Sequence, residues 1–299
     1  MEYVHNPVWD LQDRLKIDNS IDMKTLLPVQ VDTGCNFDYN SQIRFTLTGG
    51  DAYIVPSESF LYMEGRMVKD DGTPITKDAQ GDYPNIVLGN NAPMYLFRDI
   101  KYTIDDVEIE SFTNVGIATL MKGLITKSSA FSGLEKGWRT DDDRGYAESS
   151  NDGYMERGRF LLDMYASTDD DSVGTFSFRI PLDFIFNFCE DYKKVIYHHK
   201  HQIIFQRKSN DNMALMKPQA SSTGKVNLTR MMWRVRKYTP SNEELENVYK
   251  YTKEDIMLYF RNKYIISGTV DAGSTSFPIN ISHYGGFGTP RYIVVGFQV

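Results

Sequence analysis

The chain has 299 residues, of which 41% are hydrophobic and 24% are charged, a composition typical of a globular protein with a full hydrophobic core. Its 33 basic and 40 acidic residues give a formal net charge of −7, which argues against nucleic-acid binding through overall charge while leaving a local basic patch open. The two cysteines exclude a disulfide-rich secreted scaffold. At roughly 150 residues per domain, the length predicts about two domains.

The two ends of the sequence lead to different expectations. The first 18 residues show no basic region followed by an apolar core, and no run approaches the ~20 apolar residues of a membrane helix. We therefore expect a soluble, intracellular protein. Residues 1–22 predict an arm, either a short helix or an extended segment on a neighbour, and a frayed terminus is an equal alternative. Residues 291–299 are typical of a buried strand, so we expect the chain to be truncated or completed by a partner.

Aromatic residues make up 13% of the chain, which favours β-strands. Residues 41–47 alternate apolar and polar side chains, with Ile43, Phe45 and Leu47 on one face, as expected for a half-buried strand. The Asp105-Asp106 pair predicts a tight hairpin. Further strands are predicted over residues 59–68, 100–104, 107–110, 175–182, 199–208, 225–238 with a bulge near Thr229, 259–270, 276–282 and 291–299.

Helical spacing is less frequent than alternation. Residues 117–124 predict one short helix, whose length we expect Gly116 and Gly123 to limit. Residues 184–192 predict a second, and the capping-box pattern at 241–244 predicts a third helix or turn. Residues 126–171 form a long polar excursion, in which the apolar residues of 160–164 predict one buried strand or turn. About ten short strands with two or three short helices indicate a β-sandwich or barrel.

Histidines and aspartates are the candidate metal ligands. His198, His199 and His201 are clustered, and His199 and His201 would share a strand face, but a metal needs a further ligand from elsewhere in the chain. A polar strand edge is the simpler interpretation. The triplets at 141–143 and 169–171 supply the carboxylates that calcium prefers, yet neither has the EF-hand spacing, so we interpret both as solvated loops.

Catalytic chemistry has little support in the sequence. No nucleophile elbow, zinc-protease motif, phosphate-binding loop or dinucleotide fingerprint is found, and Cys189 lies in an aromatic stretch that favours packing over reactivity. Arg230, Arg234 and Arg236 predict a basic stripe on one strand, with Lys237 and Arg207 near it. This stripe could contact an acidic loop of a partner or a nucleic acid, although a solvated strand face is the simpler interpretation. We predict no enzyme, no cofactor and no catalytic, cofactor-binding or metal-binding residues.

Three consecutive segments carry a family resemblance. Residues 178–182 (FRIPL), 184–197 (FIFNFCEDYKKVIY) and 200–207 (KHQIIFQR) resemble the double jelly-roll major capsid proteins. The sequence is most similar in style to those of Polinton/Maverick elements and adintovirus-like DNA viruses, and more distantly to those of nucleocytoplasmic large DNA viruses. The hairpin at 100–112 and the ending at 290–298 (PRYIVVGFQ) resemble parts of the same family.

The resemblance implies an all-β fold, an antiparallel jelly-roll β-sandwich in which the first roll is complete and the second only begun. Residues 1–22 would be an N-terminal arm, residues 23–240 the first jelly roll, and residues 241–299 the opening strands of a second, truncated roll. The polar excursion at 126–171 would be an outward loop between strands.

The function that the resemblance implies is that of a structural virion protein, viral or a host-borne remnant. Such a major capsid subunit would trimerise into pseudo-hexagonal capsomers and build an icosahedral shell, in contact with neighbouring capsomers and minor or penton capsid proteins. It would have no membrane span and no sequence-specific nucleic-acid binding. It would be made in the host cell and located in the capsid.

Two other functions stay open. A jelly-roll binding module of the lectin type could stack its tyrosine-rich loops on sugars or contact a receptor. A cupin-type metalloenzyme would need two or three histidines and a carboxylate to converge in a barrel, for which the cluster His198, His199 and His201 with His283 is the only candidate.

Overall fold

A computed structural model describes the chain over residues 20–50, 53–75, 86–141, 151–163, 173–216, 223–251, 257–278 and 290–297. Eleven strands and six α-helices lie within these residues. In chain order they are β1 (Ile21–Gln30), β2 (Gln42–Leu47), β3 (Tyr53–Val68), β4 (Val87–Leu88), α1 (Ala92–Tyr95), β5 (Phe97–Ile104), β6 (Val107–Thr113), α2 (Val115–Thr126), α3 (Asp152–Asp163), β7 (Thr175–Pro181), α4 (Leu182–Ile185), α5 (Asn187–Asp191), β8 (Ile196–Tyr197), β9 (His201–Arg207), β10 (Leu215–Met216), β11 (Lys225–Pro240) and α6 (Asn242–Tyr251).

The first large sheet has the strand order β1-β11-β3-β7, and the short strand β8 also pairs with β3. Its pairings are antiparallel. At its centre β3 and β11 are each 16 residues long and bury alternate apolar side chains, among them Leu61, Met63 and Trp233. This alternation places one face of the sheet against the core and leaves the other face outside.

The second large sheet has the order β2-β9-β5-β6, again antiparallel. Phe45, Tyr102 and Phe205 are fully buried on its inner face. Across the core the rings of Tyr102 and Trp233 meet edge to face at 6.4 Å, a favoured geometry for aromatic pairs. The aromatic residues that favoured strands in the sequence thus pack between the two sheets and form much of the core.

The connections between the sheets define a jelly roll. Of the eight long strands, β1, β3, β7 and β11 form one sheet, and β2, β5, β6 and β9 form the other. The terminal strands β1 and β11 pair beside β3, and β2 pairs with β9, as in the two interlocked Greek keys of a jelly roll. The predicted all-β jelly-roll sandwich with a complete first roll is confirmed, and the strands of this roll extend from residue 21 to residue 240.

Two local predictions on the strands are confirmed in detail. Asp105 and Asp106 both have positive φ, 47° and 65°, as a tight two-residue hairpin between β5 and β6 requires. The pairing of β11 with β3 shifts register between Leu228 and Arg230, which is the bulge predicted near Thr229.

Several element predictions were wrong or incomplete. β1 was missed because only Val29 is buried in it and because the apolar Leu26 lies at an exposed position, so the order of apolar residues does not reveal which face is inside. A strand or turn was predicted over residues 160–164, but residues 160–163 end helix α3, and residue 164 lies outside the described residues. The six α-helices exceed the predicted two or three. The helix predicted over residues 184–192 is divided into α4 and α5 by the extended backbone of Phe186, and α1, with four residues, is too short to show a helical period.

Glycines do not limit helix α2, which runs for 12 residues through Gly116 and Gly123. Both glycines allow close packing instead. A Cβ atom on Gly116 would lie 2.3 Å from the Tyr95 ring, and one on Gly123 would lie 2.2 Å from the Trp138 ring. The stabilisation from this packing outweighs the low helix propensity of glycine, roughly 1 kcal/mol per residue.

The segment after α6 differs from prediction. Within the described residues 257–278 and 290–297 the structure assigns no strand, although strands were predicted over 259–270, 276–282 and 291–299. A β-strand requires a hydrogen-bonded partner, and the described chain offers none here. Residues 258–266 nevertheless alternate between part-buried and exposed positions, apart from one phase change at 260–261. No helix in the described part of the chain is long and apolar enough to cross a membrane.

Candidate interdomain interface

The segment that follows α6 contacts the first roll through Arg261. Its guanidinium Nη2 lies 2.5 Å from Asp191 Oδ1, and its backbone N–H donates to Asp191 Oδ2 at 2.8 Å. A further bond of 3.2 Å reaches Glu190 Oε2. Burial favours the neutral acid, but the hydrogen bonds from Arg261 outweigh it and hold the pKa of Asp191 below its ordinary value. Glu190 and Asp191, at the end of α5, therefore form a binding site for the Arg261 side chain.

Glu190 connects this arginine to helix α2. Lys122 Nζ lies 2.9 Å from Glu190 Oε2, and Lys127 Nζ lies 3.5 Å from Oε1. Against the effect of burial, the bond from Lys122 keeps the pKa of Glu190 below its usual range. Three cations and two carboxylates thus share one part-buried network, in which each carboxylate is ionised and paired.

A second cation from the same segment enters the core of the first roll. Lys263 Nζ lies 3.2 Å from Oε1 of Glu110, whose side chain is fully buried. Lys263 also donates to the Ile185 carbonyl at 2.5 Å and lies 3.9 Å from the centre of the Phe112 ring. Glu110 Oε2 accepts the Phe188 backbone N–H at 2.9 Å. Burial lowers the pKa of Lys263 to about 8, although Glu110 acts to raise it.

Apolar contacts complete the interface. Phe260 meets the Phe188 ring edge to face at 5.4 Å, and Leu258 and Ile265 pack against the main core of the first roll. Tyr259 and Tyr264 lie between these residues and are 75% and 49% exposed. The segment therefore presents one apolar and cationic side to the roll and a tyrosine-bearing side to solvent.

No pattern in the sequence indicated the buried pair of Glu110 and Lys263. In the sequence, Val107 and Ile109 alternate with Glu108 and Glu110, a pattern that would place Glu110 on the polar side of β6. The structure instead buries Glu110 and Phe112 and leaves Val107 63% exposed. A register shift between Tyr102 and Thr103 in the β5–β6 pairing reverses the face that β6 turns inward.

The histidine cluster is separated by the fold. His198 has a positive φ of 64°, His199 is exposed with its Nδ1 2.5 Å from Asp105 Oδ2, and His201 is buried with its Nδ1 2.9 Å from the Tyr102 hydroxyl. Burial lowers the pKa of His201 to about 4. His283 lies outside the described residues. Among the residues that are described, no group of three or more His, Cys, Asp or Glu side chains could hold a metal ion.

The acidic triplets lie mostly outside the described chain: Asp141 is described, whereas residues 142, 143 and 169–171 are not. Asp141 pairs with the buried Arg157 at 2.6 Å, so it has a structural partner. Cys189 is fully buried, and burial raises the pKa of its thiol well above the ordinary value. The thiolate that reactivity requires is therefore disfavoured.

The basic stripe is present without one of its expected members. Arg230, Arg234 and Arg236 lie on β11 and are exposed or half-buried. Arg207 was predicted near them but is 1% exposed and pairs with the buried Asp211 at 2.6 Å, because its strand β9 belongs to the other sheet.

Residues 161–299 match the family model described as a double jelly roll-like domain. The chain contains a double jelly roll-like domain. This match agrees with the double jelly-roll resemblance of residues 178–207. The double jelly roll-like domain begins within α3, includes the later strands of the first roll, and continues through Arg261 and Lys263 to residue 299.

The whole chain, which includes the double jelly roll-like domain, also has low similarity to solved structures. The Sputnik virophage structure determined by cryo-EM has 10% identity and a TM-score of 0.48, with 81% of this chain and 53% of that chain covered. The PBCV-1 virus capsid has 14% identity and a TM-score of 0.38, with 75% and 44% covered. PBCV-1 VP54, fitted into a reconstruction of Sputnik, has 14% identity and a TM-score of 0.40, with the same coverage. The chain thus spans about half the length of these structures, and no curated protein sequence matches it.

Proposed function

We propose that this chain is a structural capsid subunit and has no enzymatic role. The observation that carries the proposal is the combination of a jelly-roll strand order in residues 21–240 with a double jelly roll-like match that continues to residue 299. The capsid role itself comes from the resemblance of residues 178–207 to major capsid proteins. Two stacked antiparallel layers with a dense aromatic core make a rigid block that suits tiling.

The domain organisation belongs to the same proposal. Residues 1–22 form an arm, residues 23–240 the first jelly roll, and residues 241–299 the opening strands of a second roll. The alternating burial of residues 258–266 supports this division, since a strand that packs on one side buries every second residue. Arg261 and Lys263 would then fix the second roll against the first.

The assembled form is a trimer of such chains, which gives a pseudo-hexagonal capsomer and, with neighbouring capsomers and minor or penton proteins, an icosahedral shell. The protein would be made in the host cell and located in the virion capsid. The net charge of −7 keeps free subunits soluble before assembly. Sequence-specific nucleic-acid binding is not part of this role.

The oligomeric state of the purified full chain tests the proposal. We expect light scattering after size exclusion to give the mass of a trimer, and electron microscopy of concentrated samples to show three-fold blocks or shells. A strict monomer at high protein concentration would overturn the capsid role.

A further inference from the structure

The outer face of the sheet β1-β11-β3-β7 is positively charged, although the chain as a whole is acidic. β3 buries Leu61 in the core, β7 buries Ile180 and β11 buries Trp233. The neighbours of these residues along each strand therefore point to the outer face. That outer face carries Arg66, Arg179, Arg230, Arg234 and Arg236 against only two carboxylates of β3, Glu58 and Glu64. We call it the basic face.

Two arginines of the basic face lack a carboxylate. Two others do have one: Arg230 Nη1 lies 4.0 Å from Glu64 Oε2, and Arg236 Nε lies 3.5 Å from Glu58 Oε2. Arg179 instead stacks on the Phe60 ring at 4.1 Å, and Arg234 is directly opposite Phe60 in the β11–β3 pairing. Neither Arg179 nor Arg234 forms an ion pair with any described residue. Phe60 thus lies between two guanidinium groups that can donate hydrogen bonds to carboxylates from outside.

We propose that the basic face is a contact surface for the acidic surface of a second copy of this chain. The inference rests on the proposed self-assembly and names the surface that carries it. The chain has 40 acidic and 33 basic residues, so two copies repel each other at long range. The basic face concentrates positive charge, so it can attract the acidic surface of another copy at short range.

The charge of the basic face also limits how two copies can meet. Two basic faces cannot pair with each other, because that contact would set Arg179 and Arg234 against like charges. The basic face of one copy must therefore lie on a different surface of the next, and in the proposed trimer this contact is head to tail. Head-to-tail contacts close into rings when the rotation permits, which is compatible with a trimer.

Nucleic acid is the other polyanion that such a surface could bind. The excess of acidic residues over basic ones disfavours it, because nucleic-acid binding draws on a positive field over the approaching protein. The Phe60 ring is also covered by the Arg179 guanidinium, so it is not open on both sides for stacking with bases.

The test is the double charge reversal Arg179→Glu/Arg234→Glu in the full chain. The matched control, Arg98→Glu/Lys101→Glu, changes the charge by the same amount at exposed positions of the opposite sheet. We expect the first variant to self-associate roughly 100-fold more weakly than wild type, about tenfold for each arginine. The control should associate as wild type does, and thermal melting should show both variants folded.

A mixing experiment adds a second readout. In a head-to-tail contact, the reversed variant keeps its own acidic surface, so excess variant should terminate wild-type oligomers and shift them to smaller masses. The milder Arg179→Gln/Arg234→Gln change should weaken association and reduce its dependence on salt.

Three outcomes would count against the basic face, and they are distinct from one another. If wild type assembles and the reversed variant assembles equally well, the contact surface is elsewhere and the capsid role survives. If wild type is monomeric, both proposals fail. If assembly is unchanged but the reversed variant alone loses affinity for a labelled single-stranded DNA, the face is a nucleic-acid surface and the inference is wrong.

Discussion

Lys263 supplies the positive charge that faces the buried carboxylate of Glu110, with 3.2 Å between Nζ and Oε1. Glu110 belongs to strand β6 of the first roll, whereas Lys263 belongs to the segment that follows α6. The first roll therefore carries in its core a carboxylate whose counter-charge comes from the next part of the chain. Folding of the roll and docking of this segment are coupled through that pair.

The coupling predicts the effect of Lys263→Met. This change leaves Glu110 buried with no cation, which typically costs about 3–5 kcal/mol of stability. Glu110→Gln in the same chain removes the charge while a Gln oxygen can still accept the Phe188 N–H, so the double variant should recover much of the loss. Urea denaturation of the wild type, both single variants and the double variant measures this. A double variant less stable than Lys263→Met would show that the pair is not coupled.

Arg261 predicts a local effect of a different kind. Asp191→Ala removes the carboxylate that holds both the guanidinium and the backbone N–H of Arg261, so the segment around residue 261 should open more often. Hydrogen exchange of its amides should accelerate by about tenfold or more, with much smaller changes in the sheets. Glu246→Ala, on the exposed surface of α6, is the control. Unchanged exchange at residues 258–265 in Asp191→Ala would mean that the apolar contacts alone hold the segment.

His201 predicts a loss of stability in mild acid. Its pKa is about 4 in the folded chain, below the ordinary 6.5 of an unfolded histidine, so the unfolded state binds more protons between these values. The free energy of unfolding should therefore fall as the pH decreases from about 6.5 to about 4, by roughly 1.4 kcal/mol for each unit of pKa difference.

The variant His201→Gln isolates this contribution, because it keeps a polar partner for the Tyr102 hydroxyl and has no proton to gain. The difference in stability between wild type and variant should change over this pH range and stay flat above about pH 7. A difference that is independent of pH from 4 to 7 would show that His201 titrates normally. The carboxylates Asp191 and Glu190 also lose their pairing in acid, but they are common to both chains and cancel.

Close packing on α2 predicts that replacing Gly123 with alanine destabilises the protein, although alanine favours helix formation. Gly123→Ala should raise intrinsic helix propensity by roughly 1 kcal/mol, but its Cβ would lie 2.2 Å from the Trp138 ring. Overpacking of this kind typically costs about 1–3 kcal/mol, so we expect a lower melting temperature. Gly50→Ala is the control, since a Cβ atom there has no neighbour within 4 Å. A melting temperature for Gly123→Ala at or above that of wild type would contradict the packing.

Local patterns were sufficient for the elements that bury one face against the core. Ile43, Phe45 and Leu47 alternate because β2 lies between core and solvent. The hairpin at Asp105-Asp106 and the start of α6 follow from turn and capping chemistry within a few residues. The sequence alone therefore determined the all-β class and most of the strands, because these depend on which side of each strand avoids water.

Only the tertiary structure decided where the charged groups lie. The bulge at Ile109 reverses the face of β6 and buries Glu110, and no local pattern reveals that Lys263 supplies its counter-charge. His199 and His201 were predicted on one face, yet one is exposed and the other is buried because the strand begins only at His201. Apolar burial follows from each segment's own sequence, whereas ion pairs join residues far apart along the chain, so they form only once the sheets and the segment after α6 are in place.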